Sequence, residues 1–271
     1  MVQVGLGFRR SLKSDIFNFK ESFDCLEIIA EQFLNMTVFQ REELNDLIAN
    51  YFTVIPHGLR LSIGSVERPT QLYFDSIARL LEIVQPPYLS DHFAITGNSS
   101  IDIGHLSPIW YTDEALEVVI GNITTIQRFL GIPLIFETIT HPFNIPGNTM
   151  SQEEFITKVC AETGCGILLD VTNIFINAEN LGGDAKAFIK GLPKQAIKQL
   201  HIVGYTTDTT GFLLDTHSSA IQPEIWELYE YIISTCNPEY VIIERDSNFP
   251  NIDELVTEVN HARKIALRTP V

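Results

Sequence analysis

Residues 166–174 read GILLDVTNI, a run of strand-forming apolar residues with one carboxylate, Asp170, set into it. Helical spacing precedes this run in SQEEFITKVCAET (151–163), where Ser151 followed by Glu154 makes a capping-box signature. A second apolar run, LHIVGY (200–205), follows it. Moving outward, runs of the same kind recur about every thirty residues. They are VQVGLGF (2–8), FDCLEIIA (23–30), VIPHGL (54–59), PPYLSDHFAI (86–95), IPLIFETI (132–139) and YVIIERD (240–246), which with the first two make eight. Between most of them lie segments whose apolar residues step by three and four, including QLYFDSIARLLEIV (71–84), DEALEVVIGNITTIQRFL (113–130) and EIWELYEYIIST (224–235). Eight strands, each followed by a helix, is the count of a closed (β/α)8 TIM barrel, and 271 residues suits that fold. Residues 144–149 and 208–211 read as loops rather than linkers, so residues 1–271 are expected to form a single α/β barrel domain.

Apolar residues make up 45 % of the chain, enough for a full core. Eighteen Lys and Arg against 34 Asp and Glu leave a formal net charge of -16. That charge argues against nucleic acid and anionic membrane as partners, and for a basic peptide, a basic protein surface or metal cations. Cys25, Cys160, Cys165 and Cys236 show no CxxC spacing, and no secretory leader precedes the first run. The cysteines are therefore expected to be reduced thiols of a cytoplasmic protein. No apolar stretch approaches the roughly 18 residues needed to span a bilayer.

In such barrels chemistry sits at the C-terminal ends of the strands and in the loops that follow. In order, the strand ends carry Glu27 or Glu31, His57, Asp91 with His92, Glu137, Asp170, His201, and Glu244 with Asp246, and LLDTHS after the seventh adds Asp215 and His217. Taken singly, several have ordinary explanations. His57 alone reads as a core histidine, while Asp91 and Asp215 suit turn caps as well as they suit a site. Glu137 and Glu244 are harder to explain away, since an ionised carboxylate is costly to bury unpaired. Arg245 is the wrong partner for Glu244, because adjacent strand residues face opposite sides. His141 and His261 look structural, and His105 is open between ligand and pocket wall.

Taken together, so many acids and imidazoles at one end of a barrel call for cations. Oxygen and nitrogen donors without thiolate suit iron, manganese or zinc. Their number exceeds what one ion takes, so two or three ions are expected, with Glu137 as the bridge. There is no P-loop and no dinucleotide fingerprint, since GLG at 5–7 runs into Phe8 and Arg9, so electrons for any redox step need another source. Two other functions on the same chain are a divalent-metal sugar isomerase or hydrolase, for which Trp110 and Trp226 could be offered as sugar-facing walls, and a metal-storing or peptide-binding protein without catalysis.

The succession GLGFR, PHGLRLS, YLSDHFA, IFETI, GCGILLDVTNIF, LHIVGY, LLDTHS and IERDSNFP, spanning nearly the whole chain, resembles the multinuclear non-haem iron-dependent oxidase family. SDHFAITGNSSIDIGHL, with VQPPYL before it, is most similar to the branch that contains the methanobactin-biosynthesis oxidase. The resemblance implies a TIM barrel holding two or three non-haem irons, ferrous and ferric together. It implies dioxygen as co-substrate, a cysteine-containing ribosomally made precursor peptide, and a small leader-binding partner protein in a heterodimer. Carried onto this chain, it implies that His57, His92 and Glu137 hold one iron. Glu137, Asp170, His201 and Glu244 would hold a second, and Asn173, Asp215, His217 and Asp246 would surround a third. Tyr205 departs from the histidine of many relatives. The implied reaction removes hydrogen from the cysteine β-carbon and, in the methanobactin manner, gives an oxazolone with an adjacent thioamide. Asp246, beyond Glu244 on the same face, is the candidate base for an amide proton.

Overall fold

A computed structural model describes residues 2–50 and 52–268. Eight parallel strands close into a barrel in chain order: β1 (Gln3–Gly7), β2 (Cys25–Ile29), β3 (Thr53–Gly58), β4 (Leu89–His92), β5 (Leu134–Glu137), β6 (Gly166–Asp170), β7 (Ile197–Ile202) and β8 (Tyr240–Ile243). The circle closes where Gln3 to Leu6 of β1 pair in parallel with Tyr240 to Ile243 of β8.

The helices fall where apolar spacing placed them. Gln71–Val84 and Asp113–Leu130 coincide with the two longest periodic segments, and Ser151 caps Gln152–Thr163 through its hydroxyl, which accepts from the Glu154 N–H at 3.1 Å. Each turns one stripe inward; Val119, Ile123 and Ile126 of the second are buried at four- and three-residue steps. Fully burying one such side chain contributes roughly 1.5–3 kcal/mol.

Two stretches differ from the sequence expectation. The strand in GILLDVTNI stops at Asp170, and Val171–Leu181 is a helix: the Asp170 carboxylate accepts from the Asn173 N–H at 2.8 Å, so it caps the helix and turns the chain out of the sheet. LLDTHS is not a loop. It lies in the strand Leu213–Ser219, antiparallel to Gly204–Thr207, with Asp208 bracing the turn by accepting from the N–H groups of Thr210 and Phe212. A second hairpin, Ile95–Gly97 with Asp102–Ser107, takes up the end of PPYLSDHFAI.

Inside the barrel, Cys25, Ile55, Tyr88, Ile135, Leu168, Tyr240 and Ile242 form an apolar plug distinct from the larger core under the helices. Gly5 faces this plug so closely that a Cβ there would stand 2.0 Å from the Cys25 carbonyl oxygen. All four cysteines are buried free thiols, as expected from their spacing. Among the described residues no helix is long and apolar enough to cross a membrane.

Candidate metal centre

Side chains alternate along a strand, so the residues two places above the plug share its face and line the mouth. Register then sets neighbours. His92 is paired with Glu137 across β4 and β5, and Asp170 with His201 across β6 and β7. Above the plug the barrel is therefore filled by imidazole and carboxylate, and His57, Glu137, Asp170, His201 and Glu244 are all buried.

Three groups can be distinguished by the proximity of their donor atoms: His57, His92 and Glu137; Glu137, Asp170, His201 and Glu244; and His217, Glu244 and Asp246. In the first, Glu137 Oε2 lies 3.2 Å from His57 Nε2 and 3.4 Å from His92 Nε2. Ser90 fixes the first ring. Its hydroxyl donates to the Pro56 carbonyl at 3.3 Å, so it accepts from His57 Nδ1 at 2.9 Å and leaves Nε2 as the lone-pair nitrogen. In the second, His201 Nδ1 faces Glu244 Oε2 at 2.9 Å and Glu137 Oε1 at 3.3 Å, while its Nε2 faces Glu27 at 2.9 Å. Glu27 also accepts from Gln199 Nε2 at 2.5 Å, and the Gln199 carbonyl accepts from Tyr88 at 2.8 Å. The orientation of His201 is thus set from below by a buried chain of three side chains.

The third group comes from the hairpin strand. His217 has φ +47°, an uncommon conformation for a residue with a Cβ, and it is held by the Asp246 N–H donating to its carbonyl at 2.9 Å. Its Nδ1 is 3.2 Å from Asp246 Oδ2 and 3.4 Å from Glu244 Oε2, and its Nε2 is 2.7 Å from Asp215 Oδ1. Asp215 and Asp246 therefore lie on different ring nitrogens, rather than around one point. Asn173 spends its amide on the Thr138 carbonyl.

A cation fits these residues because so many buried donor atoms have no hydrogen bond. Asp170 Oδ2 and Asn173 Oδ1 are in this state, and Glu137 Oε2, Asp215 Oδ1 and both nitrogens of His217 meet a ring or a carboxylate at ion-pair distance without hydrogen-bond geometry. Buried polar atoms are otherwise nearly always hydrogen-bonded, and here six that are not lie at the mouth of one barrel. Electrostatics adds a second argument. Burial and the nearby Asp215 and Glu137 carboxylates push Asp170 well above the ordinary range, so its charged form is disfavoured unless a cation compensates it. Burial would also raise Glu137, but His201, His92 and His57 bring it down to about 2. Burial lowers His92 to about 4 against the pull of Glu137.

His92 gives a pH prediction for metal-free protein. Its pKa falls from 6.5 to about 4 on folding, so the stability it contributes is present above 6.5 and is lost as pH drops toward 4. Urea unfolding in chelator should show wild type losing about 3 kcal/mol relative to His92→Asn across that window. A pH-independent difference would mean that His92 is not buried neutral.

Of the two carboxylates that the sequence offered at the second strand end, Glu27 stands under His201, whereas Glu31 is elsewhere, accepting from the Leu59 N–H and the Tyr73 hydroxyl. Ser90 and Gln199 have no sequence signal beyond polarity inside a strand. Arg9 reaches over the mouth to Glu244 and Asp246. Arg245 points away, to Glu258, as strand alternation required. His105 lies on the exposed hairpin strand next to Ser107, outside the three groups. Tyr205 stacks on Phe175 and donates to Glu224. Trp226 packs on His261, and Trp110 is exposed.

A family model described as RiPP precursor modification enzyme MbnB/TglH/ChrH matches residues 3–267. RiPP denotes a ribosomally synthesised and post-translationally modified peptide. Curated relatives include a UPF0276 protein of Rhizorhabdus wittichii, 35 % identical over 97 % of this chain and 94 % of its own length. Another, from Chromobacterium violaceum, is 31 % identical over 96 % and 94 %. Among solved structures, a D-psicose 3-epimerase of Clostridium cellulolyticum H10 superposes with a TM-score of 0.64 at 12 % identity, covering 99 % of both chains. The 3-keto-D-glucoside 4-epimerase of E. coli gives 0.58 at 12 %, covering 97 % of this chain and 100 % of its own. Identities this low speak for the barrel alone.

Proposed function

Because this chain belongs to the family of RiPP precursor modification enzymes, we propose that it is an iron- and dioxygen-dependent oxidase acting on cysteine residues of a ribosomally made precursor peptide. The observation that carries this reading is the clustering of carboxylate and imidazole donors in three adjoining groups, with buried Glu137 Oε2, Asp170 Oδ2 and His217 Nδ1 left without a hydrogen bond. Nitrogen and oxygen donors without sulphur suit iron and leave a substrate thiolate as the one soft ligand to be added. Two or three non-haem ions, ferrous and ferric together, match the three groups, with Glu137 shared by the first two. Bound there, iron would supply the reduction of dioxygen and a point of attachment for the cysteine sulphur.

The chain's own side chains do the rest. Ser90 and Glu27 hold the rings of His57 and His201 with one nitrogen of each turned to the centre. Asp246, its side chain 44 % exposed at the rim, is the group we assign to take an amide proton from a peptide entering the mouth, through Oδ2, since Oδ1 is held by Arg9. The product we assign is oxazolone with thioamide. Four electrons and four protons leave the cysteine unit and its preceding peptide bond, and dioxygen accepts them as two waters. The net charge of -16 favours a lysine-rich leader or a small basic partner protein bound beside the mouth. Cytoplasmic conditions would keep the four thiols reduced. A sugar epimerase or isomerase on this barrel has the fold resemblance in its favour but not the family.

The test is metal analysis with Mössbauer spectra of anaerobically purified protein, before and after addition of a cysteine-containing peptide and dioxygen. Two or more irons per chain, one of them changing with peptide, is the expected result; one zinc or manganese, indifferent to both additions, would overturn it. Asp246→Asn should lower turnover by about 10²–10⁴ while the two inner ions stay bound. Unimpaired turnover would remove Asp246 as the base.

A further inference from the structure

The outermost group differs from the other two in that a guanidinium holds both of its carboxylates. Arg9 Nη2 lies 3.3 Å from Glu244 Oε1, and Arg9 Nε lies 2.9 Å from Asp246 Oδ1, with Nη2 also on that oxygen. Among the described residues, Arg9 is the one Lys or Arg paired with a carboxylate of these groups. The berth is built for it. Nη1 donates to the Phe8 carbonyl at 3.0 Å, and a Cβ on Gly7 would stand 3.2 Å from the same nitrogen, so the bare glycine leaves the side chain room to fold over the mouth. The side chain is 11 % exposed, well covered for an arginine at a rim.

Resting on the metal-centre reading above, we infer that Arg9 is a resident competitor of the third cation, making the outermost site weak and exchangeable while the two inner sites stay tight. Each of Glu244 and Asp246 gives one oxygen to the guanidinium and turns the other, Oε2 and Oδ2, toward His217 Nδ1. A divalent ion taking those two oxygens and His217 must sit beside a fixed positive charge, and each carboxylate can offer it one oxygen only. Like charges at such range in a partly buried place repel strongly. The first group carries no such charge, and of the second only Glu244 meets the guanidinium, while Glu137, Asp170 and His201 do not: His57 is neighboured by Ser90, and His201 by Glu27 and Gln199.

The experiment is equilibrium dialysis of the full-length protein against graded Mn(II), a redox-stable probe, for wild type, R9Q, R9M and R9K, with metal per chain measured by mass spectrometry and folding checked by circular dichroism. Wild type should retain two ions at low concentration and acquire a third only at much higher concentration. R9Q and R9M should acquire the third at a concentration at least tenfold lower, and R9K, which keeps the charge, should follow wild type. Two neutral variants guard against one that folds poorly. A third ion bound equally or more weakly in both neutral variants would overturn the inference and leave Arg9 as a clamp that positions the carboxylates. R9K behaving like R9Q would also overturn it, since charge would not be the cause. No ion bound by any of the four proteins would instead sink the metal-centre reading itself.

Discussion

Glu137→Gln is expected to cost the protein both inner ions and to reduce turnover by at least about a thousandfold. The residue is the one member shared by the first two groups. Its Oε2 serves His57 and His92, and its Oε1 serves His201. A glutamine of the same shape can offer one neutral oxygen at best, and its amide would turn protons toward nitrogens that must present lone pairs. Metal content, measured on protein purified without oxygen, should fall from at least two ions to one or none. The metal-free fold should be weakened too. Burial would raise the Glu137 pKa, yet three histidines bring it down to about 2, so its contribution is present above the unfolded value of 4.5 and is lost only as pH falls toward 2. Glutamine forfeits that contribution at neutral pH. A variant that keeps two ions and full turnover would show that Glu137 is merely a partner for the histidines.

How far the sequence carried this depends on which kind of interaction placed each residue. The barrel was legible because a parallel strand buried on both faces reads as a short apolar run, and eight such runs separated by helical spacing leave few alternatives. The candidate inner ligands were visible for the same reason reversed: Glu137, Asp170 and His201 stand out because they interrupt runs that should be apolar. Boundaries were less so. VTNI is as apolar as a strand, and only the Asp170 cap, a hydrogen bond with no signature in hydropathy, shows where the helix begins. DTHS looked like a loop because a half-buried two-stranded hairpin outside the barrel has no alternation of apolar and polar residues to mark it. Ser90, Gln199 and Arg9 escaped because their partners lie 33, 172 and 237 residues away in sequence, and no local pattern records such a pairing. Glu27 was half visible, a carboxylate in a strand run that sequence alone could not separate from Glu31.

Asp170→Asn should act in opposite directions on fold and function, and that sign change is the sharpest test of what the carboxylate in GILLDVTNI is for. In the metal-free protein Asp170 is fully buried, its Oδ2 has no partner, and burial together with Asp215 and Glu137 raises its pKa well above 3.8. A carboxyl raised in this way contributes fully below its unfolded pKa, and the contribution is lost as pH rises, so at neutral pH the wild type carries an unfavourable term. Asparagine keeps the cap, since its carbonyl can still accept from the Asn173 N–H, and it offers an NH2 donor to the acidic neighbours. Urea unfolding in chelator at pH 7 should therefore show Asp170→Asn more stable than wild type by about 1–3 kcal/mol. The gain should vanish near pH 3, where the wild-type carboxyl is protonated in both states. With metal present the order reverses: the charge is what the cation compensates, so the variant should hold the second ion weakly and turn over at least about a hundredfold more slowly. A variant destabilised without metal and undiminished in metal content would mean that Asp170 is a helix cap and nothing more. The opposite pair of results would mean that the fold tolerates a buried charge at the end of β6 because the site needs it there.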